Sequence, residues 1–205
     1  MSRYTGPKNR IARKFGCNIF GRARNPLIHK SNPPGVHGAK RRKKSDFGLQ
    51  LEEKQKLRAA YGQITNKQLI IAYQKASKIS GNTAHLFLQR LECRLDNIVY
   101  RLKLAPTIFA AQQLVCHGHI LVNGKKVDIR SFEVKQGMTI SLKDKSKKMK
   151  IVKESQESAR EVPEYLSLET DKSLGSLASI PLFEQIPLPL IVNVPLVCEF
   201  LAHTT

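Results

Sequence analysis

Apolar residues recur at helical spacing after residue 45, and small polar residues or glycines bound each run. The pattern predicts one helix over about 46–60, which Ser45 can cap, and a second over 67–79, which Asn66 can cap. A third apolar run, over 86–102, keeps the i, i+3, i+4 spacing until a proline interrupts it. This run predicts one bent helix or two.

The spacing changes from helical to alternating later in the chain. Thr107 can cap a further helix that Gly118 ends, and the following residues, HILVNGKKV, are typical of a β-hairpin. Asn123-Gly124 supplies the two positive φ angles that a type I′ turn needs. Alternation on either side of Gly137, over 132–134 and 138–142, predicts a second strand pair. Residues 91–150 therefore predict two helices packed on a small antiparallel sheet.

The rest of the chain has weaker patterns. Residues 151–179 are rich in Glu and Ser, which predicts a linker or a surface helix. The Pro-, Val-, Ile- and Leu-rich end, 180–205, either adds an edge strand near 192–200 or packs on the helical part. We therefore expect an α+β protein with four parts: an extended basic arm at 1–44, a helical domain at 45–90 completed by 180–205, a small domain at 91–150, and the 151–179 connection.

The charge of the chain is organised by segment. The first 44 residues contain thirteen Lys or Arg and no Asp or Glu; the net charge is +13 for 1–44, +11 for 45–150 and −5 for 151–205. Such a basic arm repels itself unless a polyanion neutralises it, and phosphate backbones are the common polyanion inside cells. Nucleic acid is therefore the first partner to expect.

The length and composition exclude several other classes of protein. A length of 205 residues suits one or two domains, and a 41% apolar content allows a core. The four cysteines are far apart and form no CxxC pair, so neither a zinc knuckle nor a disulfide framework is indicated. No secretory signal is visible, and prolines and glutamates interrupt the apolar stretch over 180–201. We expect a cytoplasmic protein with reduced thiols.

The glycines and histidines do not predict an enzyme. Gly118 and Gly124-Lys125 superficially resemble a phosphate loop, but Lys126 stands where such a loop needs Ser or Thr. His117 and His119 lack a third metal ligand and a nearby carboxylate cluster. We therefore expect no catalysis, no metal and no cofactor.

Basic residues within 91–142 are spaced for phosphate contact. Arg94 and Arg101 lie seven residues apart, so on one helix they would face the same side and could contact successive phosphates. Lys125 and Lys126 follow the hairpin turn, where long side chains can enter a groove. The alternative for each of these residues is an ordinary solvated surface.

Several segments resemble one family. RLDNIVYRL and TIFAAQQLVCHGHILVNGKKV resemble the small RNA-binding domain first described in the fourth small-subunit ribosomal protein, in which two helices pack on a short sheet. RYTGPKNRIARKFG and PPGVHGAKRRKKSDFGLQLEEKQKLRAAYG look like the N-terminal signatures of the bacterial-type family of that protein, and LVCEFL resembles its closing strand. The resemblance covers nearly the whole chain and is weakest over 151–185.

The resemblance implies a structural constituent of the small ribosomal subunit. Relatives bind 16S rRNA early, at a multi-helix junction of its 5′ domain, nucleate assembly of the subunit body and influence translational accuracy. Implied partners are the neighbouring small-subunit protein S5, S12 for accuracy, and the protein's own messenger RNA; the ribosome would be cytoplasmic or organellar. Some relatives hold zinc with four cysteines in the arm, whereas this arm has only Cys17.

The expected RNA contacts are mainly cations of the arm, the first helix after it and the small domain. Gly6-Pro7, Asn25-Pro26 and Pro33-Pro34-Gly35 would bend the arm, and Gly35 and Gly38 would shape it beside His37. The arm has few aromatic side chains for stacking, which favours recognition of RNA shape. The candidate RNA-binding residues are Arg3, Tyr4, Lys8, Arg10, Arg13, Lys14, Arg22, Arg24, His37, Lys40, Arg41, Arg42, Lys43, Lys44, Lys54, Lys56, Arg58, Arg94, Arg101, Lys125, Lys126 and Arg130.

Two other classes of RNA protein compete with this interpretation. A stand-alone RNA-binding chaperone or an accessory protein of RNA modification could carry the same small domain without the two N-terminal signatures. A modifying enzyme such as a pseudouridine synthase needs a separate catalytic domain. The 55 residues after Lys150 are too few and too irregular to supply one.

Overall fold

The computed structural model describes residues 4–21, 24–40, 43–169 and 174–204. The mixed class is confirmed, with helices in the N-terminal part and a small antiparallel sheet later in the chain. The chain divides into two compact units: Met1–Phe87 with Leu188–Thr205, and Leu88–Pro187. Within the described residues, no helix is both long enough and apolar enough to cross a membrane.

The described part of the first unit is helical. Its helices are α1 (Lys8–Phe15), α2 (Pro26–His29), α3 (Asp46–Ala60), α4 (Asn66–Ser77) and α10 (Val194–Thr204), and α5 (Thr83–Glu92) begins there and ends in the second unit. The arm is therefore not extended throughout, because α1 and α2 lie within it. Four apolar residues of the arm are buried, Ala12, Ile19, Phe20 and Pro26, and α1 contacts α2.

Side-chain caps determine where these helices begin. The Ser45 hydroxyl accepts a hydrogen bond from the Gly48 N–H at 3.2 Å, as expected. For α4 the cap is Thr65 and not Asn66, since the Thr65 hydroxyl accepts from the Gln68 N–H at 3.3 Å. The cap expected at Asn66 was therefore wrong by one residue.

The end of the chain is a helix, and the closing strand expected at LVCEFL was wrong. The Asn193 side-chain oxygen accepts from the Leu196 N–H at 3.3 Å, which begins α10. Val194, Val197 and Leu201 are buried at helical spacing, and this face packs on α3. Of the two alternatives for the last stretch, packing on the helical part is the observed one.

The second unit combines helices with a sheet. Its elements are α6 (Leu95–Arg101), α7 (Ile108–Cys116), β1 (Ile120–Val122), β2 (Lys125–Lys126), β3 (Thr139–Leu142), α8 (Asp144–Lys147), α9 (Lys150–Gln156), β4 (Leu166–Leu168), β5 (Leu174–Leu177) and a 3-10 turn (Phe183–Gln185). The apolar run at 86–102 is thus two helices, α5 and α6.

The described strands form one antiparallel sheet in the order β2-β1-β3-β5-β4. Ile120 pairs with Leu142 and Val122 with Ile140 between β1 and β3. These apolar side chains join those of α6 and α7 in a single buried cluster. The sheet and the α6–α7 pair thus share one core, which positions the hairpin at the sheet edge.

Two expectations about the sheet differ from the structure. Residues 132–134 form no second strand pair: Glu133 makes an isolated bridge to Arg94, and β3 pairs with β1 and β5. Residues 151–179 were expected to be a linker or a surface helix, but after α9 this segment supplies β4 and β5. Gly175 allows the close approach of β5, because a Cβ there would lie 2.6 Å from Cδ2 of Leu102.

Candidate nucleic-acid interface

Helix α1 presents cations from the arm. Its buried Ala12 fixes which side faces inward, and Arg10 and Lys14 are exposed. Lys8 is partly buried. Arg13 is partly committed to the protein, since its Nε donates to the Asn32 carbonyl at 3.0 Å and its Nη2 to the Pro33 carbonyl at 3.4 Å. Arg13 therefore connects α1 to the loop that contains Pro33-Pro34-Gly35, which we call the proline loop, and also contributes positive charge.

The proline loop has a shape that depends on glycine. Gly35 has a φ of 110°, and its carbonyl accepts from the Gly38 N–H at 3.2 Å. A Cβ at Gly38 would lie 2.0 Å from the Pro33 carbonyl oxygen, so this turn has no room for a side chain. The turn holds His37 and Lys40 at the surface, where both are exposed.

The remaining described cations of the arm are also at the surface. Arg24 is exposed, with its Nη2 3.4 Å from Nε2 of His29, and Asn25 caps α2 by accepting from the Leu27 N–H at 3.0 Å. Lys43 and Lys44 are exposed, and the Lys44 ammonium pairs with Glu52. Tyr4 is half-buried against Gly6. Four candidates, Arg3, Arg22, Arg41 and Arg42, lie outside the described residues.

The three candidates on α3 are engaged with the protein. Lys54 is buried with its ammonium 4.0 Å from the centre of the Phe200 ring, and burial, then the charge of Arg58, lowers its pKa. Lys56 pairs with Glu53 at 2.5 Å. Arg58 donates from Nε to the Ile64 carbonyl at 2.9 Å, and burial lowers its pKa. Each of these three cations therefore has a partner within the helical unit.

The arginines of the small domain are turned inward. Arg94 precedes α6, so it does not share a helix face with Arg101 as the seven-residue spacing suggested. Its Nε and Nη2 donate to the two carboxylate oxygens of Asp96 at 3.0 and 2.9 Å, and both residues are buried. Arg130 is also buried, with Nη1 donating to Oε1 of Gln112 at 3.3 Å.

Arg101 has a similar structural partner. Its Nε donates to Oε1 of the fully buried Glu92 at 2.7 Å, and the Tyr165 hydroxyl donates to the same oxygen at 2.7 Å. Burial, together with the charge of Glu92, raises the pKa of Tyr165. Removing buried carboxylates from water requires such partners. Arg94, Arg101 and Arg130 therefore make their side-chain hydrogen bonds within the unit, and their phosphate contacts stay a prediction.

The hairpin keeps its lysines exposed. Asn123 and Gly124 have φ angles of 48° and 76°, which confirms the type I′ turn, and Lys125 and Lys126 follow it at the surface. The Lys126 stem lies across Gly118, where a Cβ would be 2.3 Å from its Cε. The end of α7 and the hairpin thus form one surface.

Further lysines lie beside this hairpin that were not among the candidates. The Lys143 N–H donates to the His119 carbonyl at 3.0 Å, and Nδ1 of His119 lies 2.9 Å from the Ser146 hydroxyl oxygen. These bonds place α8 next to the start of β1. The dense charge run was visible in the sequence, but only the sheet register brings it to the hairpin. We define the hairpin surface as His117, Lys125, Lys126, Lys143, Lys145, Lys147 and Lys148.

The arrangement suits binding of a polyanion. Flexible ammonium groups can contact phosphates at several distances, and Asp144 is the carboxylate that α8 adds. Within the described ranges, no three His, Cys, Asp or Glu side chains come together as a metal group.

The chain matches two family profiles. Residues 3–92 match "Ribosomal protein S4/S9 N-terminal domain", and residues 93–140 match "S4 domain". It is 65% identical over 206 residues to the small ribosomal subunit protein uS4 of Protochlamydia amoebophila. The identity is 62% over 209 residues for the protein of that name from Chlamydia trachomatis and 58% for that from Chlamydia pneumoniae. In each case the match spans 100% of both chains.

Proposed function

Since this chain belongs to the family of the small ribosomal subunit protein uS4, we propose that its exposed arm cations and its hairpin surface are the groups that hold it on 16S rRNA. The chain is a structural constituent of the small subunit, not an enzyme. It binds 16S rRNA, takes part in assembly of the subunit body and contributes to translational accuracy.

One contrast between the cations supports this assignment. Arg94 is buried against Asp96, and the Arg101 side chain is largely buried against Glu92. The lysines of the hairpin surface other than Lys143 are exposed instead: Lys125, Lys126, Lys145, Lys147 and Lys148. A polyanion can neutralise these exposed lysines without disrupting the fold, whereas it could contact the arginines only if their ion pairs with the carboxylates broke. The same reasoning favours Arg10, Lys14, Arg24, His37, Lys40 and Lys43 in the arm.

The finer assignments are part of the proposal. Residues 1–44 form the RNA-binding arm, 45–90 with 180–205 the helical domain, and 91–150 the small RNA-binding domain. The RNA target is a helix junction in the 5′ domain of 16S rRNA, because a junction concentrates phosphates that a dense cationic arm can neutralise. The protein neighbours are S5 and S12, and the chain's own messenger RNA is a second RNA target. The ribosome is that of a bacterial cytoplasm.

The experiment is sedimentation of the tagged chain with small subunits, followed by crosslinking to RNA. We expect the protein in the small-subunit fraction with crosslinks from α1 and the hairpin to the 5′ domain of 16S rRNA. Crosslinks confined to another RNA domain would contradict the proposed target. Crosslinks to RNA from α3, in place of the arm, would contradict the proposed contact residues.

A further inference from the structure

Three large apolar side chains are exposed within four residues of the second unit. Ile180 is 51% exposed, Leu182 62% and Phe183 38%. A single exposed leucine is ordinary, but adjoining apolar side chains with a polar rim mark contact sites. We call these three side chains, together with Glu164 and Glu184, the acidic apolar surface.

The acidic apolar surface is held in place by the rest of the unit. Pro181 is buried, and its carbonyl accepts from Nε2 of Gln89 at 3.0 Å. Gln185 donates from Nε2 to a carboxylate oxygen of Glu164 at 3.4 Å, and its Oε1 accepts from the Leu182 N–H at 3.2 Å. The carboxylate and the apolar turn are therefore tied together. A platform that is already ordered loses little conformational entropy when a partner binds.

The charge of this segment differs from that of the chain. Residues 161–187 contain five acidic residues and one basic residue, a net charge of −4 in a chain whose net charge is +19. Glu161, Glu164 and Glu184 are all exposed. Phosphate backbones would be repelled here, whereas a cationic protein surface would be attracted. The apolar side chains alone do not distinguish between classes of partner, whereas the negative charge favours a cationic protein over a nucleic acid.

We propose that the acidic apolar surface docks a cationic segment of another small-subunit protein. Lys or Arg side chains of that segment pair with Glu164 and Glu184, and an apolar side chain covers Leu182. This inference rests on the proposed function, because assembly into the subunit is what brings a protein neighbour to this face.

Photo-crosslinking from the surface tests this docking. The full chain carries p-benzoylphenylalanine in place of Leu182 and is assembled into small subunits with 16S rRNA and the purified small-subunit proteins. We expect a crosslink to one protein, at a peptide rich in Lys and Arg. Combining Glu164→Gln with Glu184→Gln should lower the yield of that crosslink several-fold, because it removes the charge attraction and keeps the side-chain shapes.

The matched control places the same photoprobe at Ile151, which is 42% exposed on α9 between Lys150 and Lys153. A crosslink from position 182 to 16S rRNA would overturn the docking proposal, as would a protein crosslink no more frequent than at position 151. Sedimentation with the small subunit is scored separately. Its loss in the unsubstituted chain counts against the proposed function, whereas crosslinks within sedimented subunits decide the docking.

Discussion

The Arg94 guanidinium donates two hydrogen bonds to the Asp96 carboxylate, of 3.0 and 2.9 Å, and both side chains are buried. Gln112 joins the pair by donating to Oδ2 of Asp96 at 3.4 Å and accepting from Arg130. An arginine that the sequence places among phosphate contacts is thus part of the interior.

Replacing Arg94 should therefore damage the fold more than RNA binding. Arg94→Ala leaves the Asp96 carboxylate buried without its main partner, which costs about 3–5 kcal/mol of unfolding free energy. Urea unfolding of the free protein measures this loss. At equal folded fraction, affinity for 5′-domain RNA should stay close to that of the wild type. A variant as stable as the wild type that binds RNA weakly would show that Arg94 is a phosphate contact.

The hairpin lysines should behave in the opposite way. Lys125→Ala with Lys126→Ala should change the unfolding free energy by no more than about 0.5 kcal/mol per site, since both side chains are exposed. Each lost phosphate contact should reduce the slope of log affinity against log salt by about 1. Lys75→Ala with Lys78→Ala, exposed on and just after α4, is the control of equal charge. Equal losses of RNA affinity in the two double variants would contradict the proposal that the hairpin surface contacts RNA.

Alanine substitutions at two glycines distinguish the effect of backbone strain from the effect of displacing the Lys126 side chain. Gly118 and Gly124 have φ angles of 69° and 76°, so alanine at either site costs about 1–2 kcal/mol of stability. Only at Gly118 would the new methyl group meet a side chain, that of Lys126. Binding titrations should therefore show weaker RNA affinity for Gly118→Ala than for Gly124→Ala at similar stability. The reverse order would exclude Lys126 from the contact.

The sequence predicted features that depend on neighbouring residues, but not those that depend on residues far away along the chain. The hairpin followed from Asn123-Gly124, and the caps Ser45 and Thr107 from the residues beside them. LVCEFL was wrong as a strand, because a short segment with five apolar residues suits either secondary structure and only packing on α3 decides. Residues 151–179 likewise required the remote pairing of β5 with β3.

The candidate site shows the same dependence on distant partners. Lys125, which directly follows the Asn123-Gly124 turn, is exposed as predicted. The inward turn of Arg101 depends on Glu92, which Tyr165 also contacts from 73 residues away. No periodicity in the sequence reports that contact, so the buried arginines could not be separated from the exposed ones beforehand.

Alkaline pH should destabilise the second unit through Cys93. Burial, together with the charges of Glu92 and Glu133, raises the pKa of this thiol from 9.0 to about 12. The folded chain therefore retains a proton that the unfolded chain loses, and stability falls as the pH rises from about 9 to 12 by up to about 1.4 kcal/mol per pH unit. Urea unfolding of the free protein should give a flatter pH dependence for Cys93→Ala. Parallel curves for the variant and the wild type would exclude the thiol as a cause.

The central claim is that exposed arm and hairpin cations hold the chain on 16S rRNA. Its most direct test is the affinity of the full chain for 5′-domain RNA at salt concentrations from about 50 to 200 mM. If six to ten phosphates are neutralised, affinity should fall by about 10³–10⁵-fold over this range. Arg10→Ala with Lys14→Ala should give a shallower slope. An affinity that does not change with salt would contradict the account.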